Sequence, residues 1–224
     1  MTSVARLLQL ASPALPVGAY SYSQGMEWAI ESGDVADAHT ARLWIEDHLA
    51  LVTARFEAPV YAAGFAAWQH ADDIEMARLN AEFIASREST EPRAETLQVG
   101  FSYAAWCREV APLTEPQRAV LAAVHGVSAP IAASLAALAS GLSLRDGLTA
   151  YVFGFTENQV MVLAKALPMG QIAAQKLLLA LGDAVLRTVD AALELKASDW
   201  SSASPWLAIA QMKHETQYSR LFRS

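Results

Sequence analysis

Five histidines, at positions 39, 48, 70, 125 and 214, are the residues of this chain best suited to hold a metal or move a proton. None stands at metal-motif spacing from a second histidine, a cysteine or a carboxylate. His70 beside Asp72 and Asp73 comes nearest, and that trio reads as a boundary between two helices. No intrachain metal site is expected, although a ligand shared across a dimer axis, such as His214, stays open. Cys107 is the single cysteine, which excludes an intrachain disulfide and a multi-cysteine zinc site. Its neighbour Trp106 points to packing rather than thiol chemistry.

Nucleophile and nucleotide motifs are missing as well. There is no Gly-x-Ser-x-Gly and no Walker phosphate loop; Gly33, Gly64 and Gly182 are isolated. What remains for acid–base work is Glu27 with Tyr20 or Tyr22, the basis of one alternative, a small helical-bundle enzyme. No cofactor is expected.

Two segments instead have the character of contact surfaces. Lys165-Ala166-Leu167-Pro168-Met169-Gly170-Gln171 puts a lysine at the end of a long helix, where the helix dipole favours a cation. Residues 213–224 combine Tyr218, Leu221 and Phe222 with Arg220 and Arg223 on a chain whose net charge is −7. That mixture suits interface hot spots, so residues 213–224 are expected to be a partner-docking tail.

The elements that carry these residues are helical throughout. Pro13, Pro16 and Gly18 keep helix out of the first part of residues 10–33. Ser21 or Ser23 is expected to cap a helix through Met26, Trp28 and Ile30, stopped by Gly33. Asp37 caps a helix with Ala41, Trp44, Ile45, His48 and Val52 on one side, and Pro59 is expected to end or kink it. Asp72 and Glu75 have capping-box spacing ahead of Met76, Leu79 and Phe83, and Pro92 opens a further helix. Helices are expected over residues 144–167 and 206–212. In a long helix between them, Leu178, Leu181, Val185 and Val189 face the core, while Gln171, Gln175 and Gly182 form a narrow face suited to a neighbour. No strand-like alternation and no linker appear. The expected fold is all-α, a single-domain helical bundle of roughly ten helices over residues 1–224.

Composition sharpens this. Hydrophobic residues make up 54% of the chain and charged ones 17%, so more apolar surface is available than one monomer needs. A homo-oligomer or a partner complex is expected. An acidic balance argues against nucleic acid. The uncharged stretch 119–144 is long enough to span a bilayer, but His125, Gly126, Ser128 and Pro130 interrupt it, and two buried helices are expected instead of a membrane span. The N-terminal apolar run is too short for a signal peptide, and the cytoplasm is the expected compartment.

Several strings resemble those of the UreF family of urease accessory proteins. Leu8-Gln9-Leu10-Ala11-Ser12, Leu15-Pro16-Val17-Gly18, Tyr20-Ser21-Tyr22-Ser23-Gln24-Gly25 and Glu27 are similar to its N-terminal signature; Ala19 departs from a glycine found in many members. Arg87, Glu88, Glu91 and Glu95 match a second segment, with Ser89 and Pro92 as departures. Lys165, Pro168, Gly170 and Gln171 match a third, whose lysine is linked in the family to a GTPase partner, and residues 214–224 match its ending. The resemblance implies a non-catalytic, homodimeric maturation factor. Such a factor binds UreD (also called UreH), recruits the GTPase UreG and docks on apo-urease for nickel insertion, with an influence on GTP hydrolysis. It also makes Tyr20, Tyr22, Glu27, Arg87, Glu88, Lys165, Gln171, His214, Tyr218, Arg220, Leu221, Phe222 and Arg223 the candidate partner-binding residues.

Overall fold

The computed structural model describes residues 3–223, so the expected domain and tail are seen without Met1, Thr2 and Ser224. Among the described residues the chain is all-α, with eleven α-helices and no strand. They are α1 (Ser3–Ala11), α2 (Met26–Glu31), α3 (Ala38–His48), α4 (Ala58–His70), α5 (Asp73–Ala85), α6 (Thr90–Glu109), α7 (Glu115–Ala123), α8 (Ala129–Ala139), α9 (Leu144–Ala166), α10 (Gln171–Glu194) and α11 (Pro205–His214).

The centre is α8, packed between α4, α6 and α9. Its small side chains and one glycine on each neighbour, Gly64 on α4, Gly100 on α6 and Gly147 on α9, let the helices approach closely. A Cβ on Gly100 would fall 1.9 Å from the Val127 carbonyl oxygen, so α6 can lie against the turn before α8 only with glycine there. Trp68, fully buried on α4, donates its indole N–H to the Ile131 carbonyl at 2.9 Å. The uncharged stretch 119–144 thus folds as α7 and α8, and among the described residues no helix is long and apolar enough to cross a membrane.

Local signals explain most boundaries. The Asp37 carboxylate accepts from the Thr40 N–H at 2.8 Å, and Asp72 accepts from the Glu75 N–H at 3.0 Å. Gly33 ends α2 with φ 86°. The start of α2 differs from expectation: Gly25, at φ 85°, precedes it, and the Ser23 hydroxyl is buried without a partner. Neither Ser21 nor Ser23 caps the helix.

Pro59 behaves differently from expectation too. The chain neither breaks nor ends there, because residues Leu49–Glu57 form a π-helix that joins α3 to α4. Proline has no N–H for the carbonyl four residues earlier, which here belongs to Arg55. That oxygen accepts instead from the Ser201 N–H at 3.1 Å and so fixes the segment leading into α11. The inner face of α10, with Leu181, Val185 and Val189 buried, packs on α9, the π-helix, α3 and α4.

Candidate functional site

The first and last segments of the chain meet against α9. The signature loop begins with Gly18 at φ 75° and a single 3₁₀ turn over Ala19–Ser21. Asn158, buried in the middle of α9, holds that loop by donating its amide to the Ala19 carbonyl at 3.2 Å and the Tyr22 carbonyl at 3.0 Å. Gln159 donates to the Ser23 carbonyl at 3.3 Å. Tyr20 donates its hydroxyl to Glu157 at 3.1 Å, and partial burial together with that carboxylate pushes its pKa well up.

Glu27, buried on α2, is the centre of the junction. One of its oxygens accepts the Leu221 N–H at 2.6 Å; the other lies 3.0 Å from His214 Nε2 and 3.1 Å from the Phe222 N–H. His214 is fully buried, and its second ring nitrogen, Nδ1, lies 2.7 Å from Glu91 Oε2. Each ring nitrogen of His214 therefore faces a carboxylate oxygen at hydrogen-bond distance. Arg220 pairs with the other oxygen of Glu91. Glu27, Glu91, His214 and Arg220 thereby close a clasp across α2, α6, α11 and the tail. Around it, the Arg223 N–H donates to the Ser21 carbonyl at 2.9 Å, and Lys165 Nζ sits 5.3 Å above the Phe222 ring.

Beneath α11 the signature loop, the π-helix and α9 enclose a cavity of about 120 Å³. Its wall carries His48, Thr53, Glu57, Arg87, Tyr151 and Asn158. Arg87 pairs with Glu57 at 2.8 Å and lies over Phe83 at 4.4 Å; Glu88, exposed, also borders the cavity. Burial pushes the His48 pKa down to about 4, outweighing the upward pull of Glu57. His48 is therefore a neutral ring at pH 7, 4.5 Å from Phe155 between centroids, with Nδ1 unpartnered. Thr53 Oγ1 and Asn158 Oδ1 are unpartnered as well, which marks a polar chamber and not a packing defect.

Most candidate residues converge here. Glu27, Lys165, His214, Arg220, Leu221, Phe222 and Arg223 meet at the clasp, Tyr20 and Tyr22 lie in the signature loop held by α9, and Arg87 and Glu88 border the cavity. Tyr218 and Leu221 point outward and are exposed. Gln171 is the exception, exposed at the start of α10 with no bond to the clasp. Glu27 is joined to neither Tyr20 nor Tyr22: Tyr20 bonds Glu157, and both Glu27 oxygens are engaged by the tail. Among the described residues no group of three or more histidine, cysteine or carboxylate side chains is arranged to hold a metal. Cys107 is buried, and burial pushes its thiol up to about 12.

Four participants were not among the candidate partner-binding residues. Glu91 lay in a matched segment, yet its role depends on a contact 123 residues away in the chain. His48 read as one member of an apolar stripe. Asn158 and Gln159 had a usable signal, two adjacent amides in the middle of a long helix.

The architecture is that of an all-α protein whose signature loop and α2 are locked to residues 214–223 over a polar cavity, with aromatic and cationic groups exposed beside the lock. The chain belongs to the UreF family: residues 35–182 match the family model UreF. It is 50% identical over 221 residues to the urease accessory protein UreF of Azoarcus sp. strain BH72, covering 98% of this chain and 94% of that protein. The corresponding protein of Dechloromonas aromatica strain RCB is 47% identical over 222 residues, 99% of this chain and 97% of its own length. That of Methylobacillus flagellatus is 42% identical over 222 residues, 99% and 98% respectively.

Proposed function

We propose that this chain is a non-catalytic adaptor in urease maturation. It works in the cytoplasm as a homodimer, binds a UreD/UreH-type accessory protein, recruits the GTPase UreG and brings it to apo-urease for nickel insertion. Nickel is cargo in this reading. The observation that carries it is the clasp: Glu27 and Glu91 order the tail so that Tyr218 and Leu221 stand exposed beside Arg220 and Arg223. An aromatic, an aliphatic and two guanidinium groups on one ordered surface are the side chains that dominate interface energies. Lys165, stacked on Phe222, links the tail to the end of α9 and gives a route by which a bound GTPase is sensed through different affinities for its nucleotide states.

The test uses size-exclusion chromatography with light scattering on this chain mixed with its UreD-type partner. Removing residues 213–224 would also strip His214 from Glu27 and Glu91, so point variants are the cleaner probe. Tyr218→Ala with Leu221→Asp leaves the clasp side chains in place and is expected to weaken co-elution by about thirtyfold or more, with helicity unchanged. Undiminished co-elution would remove the tail from the contact. If the folded wild-type chain fails to co-elute as well, the adaptor reading falls, and turnover sensitive to Glu27→Gln becomes the next assay.

A further inference from the structure

Among the exposed apolar side chains of this chain, three lie on one line along the outer face of α10. Ile172, Leu179 and Leu186 are 76%, 83% and 50% exposed. They are spaced seven residues apart, so over two heptads they drift only slightly round the helix and form a straight stripe. The inner face of the same helix is already used against α9 and the π-helix. Ile172 and Leu179 also border a shallow surface depression with Gln171, Gln175 and Lys176.

The stripe is a palindrome about Leu179. Ile172 stands seven residues before it and Leu186 seven after; Lys176 stands three before and Asp183 four after. A Cβ built on Gly182 would meet no heavy atom within 4 Å, so that position presents bare backbone to the outside. An isologous contact needs this property, because a two-fold axis brings the same patch onto itself. With two copies of α10 antiparallel and the axis beside Leu179, Ile172 meets the partner's Leu186 and Leu179 meets the partner's Leu179. Lys176 then faces the partner's Asp183, and Gly182 lies opposite Gln175, where a missing side chain allows close approach. Among the described residues neither Lys176 nor Asp183 forms an ion pair, and Asp190, further along, is already taken by Arg145 at 2.6 Å.

We infer that the outer face of α10 is the contact with a second copy of this chain, an antiparallel helix pair whose two-fold axis passes beside Leu179. This deepens the homodimer in the reading above and rests on it. A surface for an unrelated protein has no need of apolar and charged positions mirrored about one residue. The self-complementary pattern is what selects a second copy.

Cysteine scanning reads the register directly, since the native Cys107 is buried and does not compete. Under mild oxidation Leu179→Cys is expected to cross-link to itself. Ile172→Cys and Leu186→Cys are each expected to stay uncross-linked alone and to cross-link when mixed. Sedimentation velocity of Leu179→Asp is expected to show the dimer dissociation constant raised about a hundredfold, with unchanged helicity, since two carboxylates would be buried face to face. Lys176→Asp should weaken the dimer, and adding Asp183→Lys in the same chain should restore it. A wild-type chain that is dimeric while Leu179→Asp stays dimeric overturns this face and leaves the homodimer standing. A wild-type chain that sediments as a monomer at every concentration overturns both. Loss of UreD-partner co-elution in Leu179→Asp, with no change in self-association, would give the face to that partner instead.

Discussion

Two buried histidines, His48 in the cavity wall and His214 at the end of α11, are treated in opposite ways. His48 lines the cavity with one nitrogen unpartnered, and burial keeps it neutral. His214 has a carboxylate oxygen on each nitrogen, so its burial leaves neither nitrogen without a partner. Burial by itself therefore does not set what a histidine does in this fold. In the cavity wall it supplies an uncharged polar atom to the chamber, and in the clasp it bridges the carboxylates of two helices, Glu27 on α2 and Glu91 on α6.

The contrast breaks most severely at the clasp. His214→Leu keeps the bulk but strands Glu27 and Glu91, and urea denaturation should show a loss of about 3–5 kcal/mol, the range for breaking a buried pair. A loss below about 1 kcal/mol would mean that solvent reaches the carboxylates and that the clasp does not hold the tail.

The cavity histidine is expected to matter through pH. Its folded pKa, about 4, lies below the ordinary histidine value of 6.5, so the unfolded chain binds the extra proton first. Its contribution is fully present above pH 6.5 and is lost as pH falls from there towards 4, to a maximum of about 3 kcal/mol. His48→Gln should flatten that part of the stability–pH curve. An unchanged slope would show that His48 is not the group responsible.

The smallest effect belongs to the contact between the clasp and α9. Lys165→Ala should cost only about 0.5–1 kcal/mol, the scale of a cation–π contact at a partly exposed site. If it nevertheless abolishes the response of a UreG-type GTPase while the thermal midpoint hardly moves, the lysine acts on the partner and not on the fold.

Helix boundaries governed by adjacent residues were legible in the sequence: the Asp37 and Asp72 caps, the Gly33 stop and the core faces of α5 and α10. Boundaries that depend on distant partners were not. Pro59 reads as a break because its missing N–H is visible, whereas the Ser201 N–H that takes up the Arg55 carbonyl lies far along the chain. Ser23 reads as a cap because serine usually caps, yet the positive φ of Gly25 makes the turn into α2 instead. At the site, family strings located the loop, Lys165 and the tail, but not their bonding. That Glu27 answers to His214 and Tyr20 to Glu157 follows from how α9 and α11 pack. Gln171 shares a string with Lys165, and the turn between α9 and α10 parts them.

The clasp also constrains the order of events during synthesis. Glu27 and His214 are 187 residues apart, so their bond cannot form until nearly the whole described chain has left the ribosome. A chain interrupted before residue 214 leaves the Glu27 carboxylate on α2 without that partner and never presents the Tyr218–Leu221 surface. Display of that surface is thus tied to synthesis as far as residue 222, because a chain cut short of His214 has nothing to hold the tail against α2.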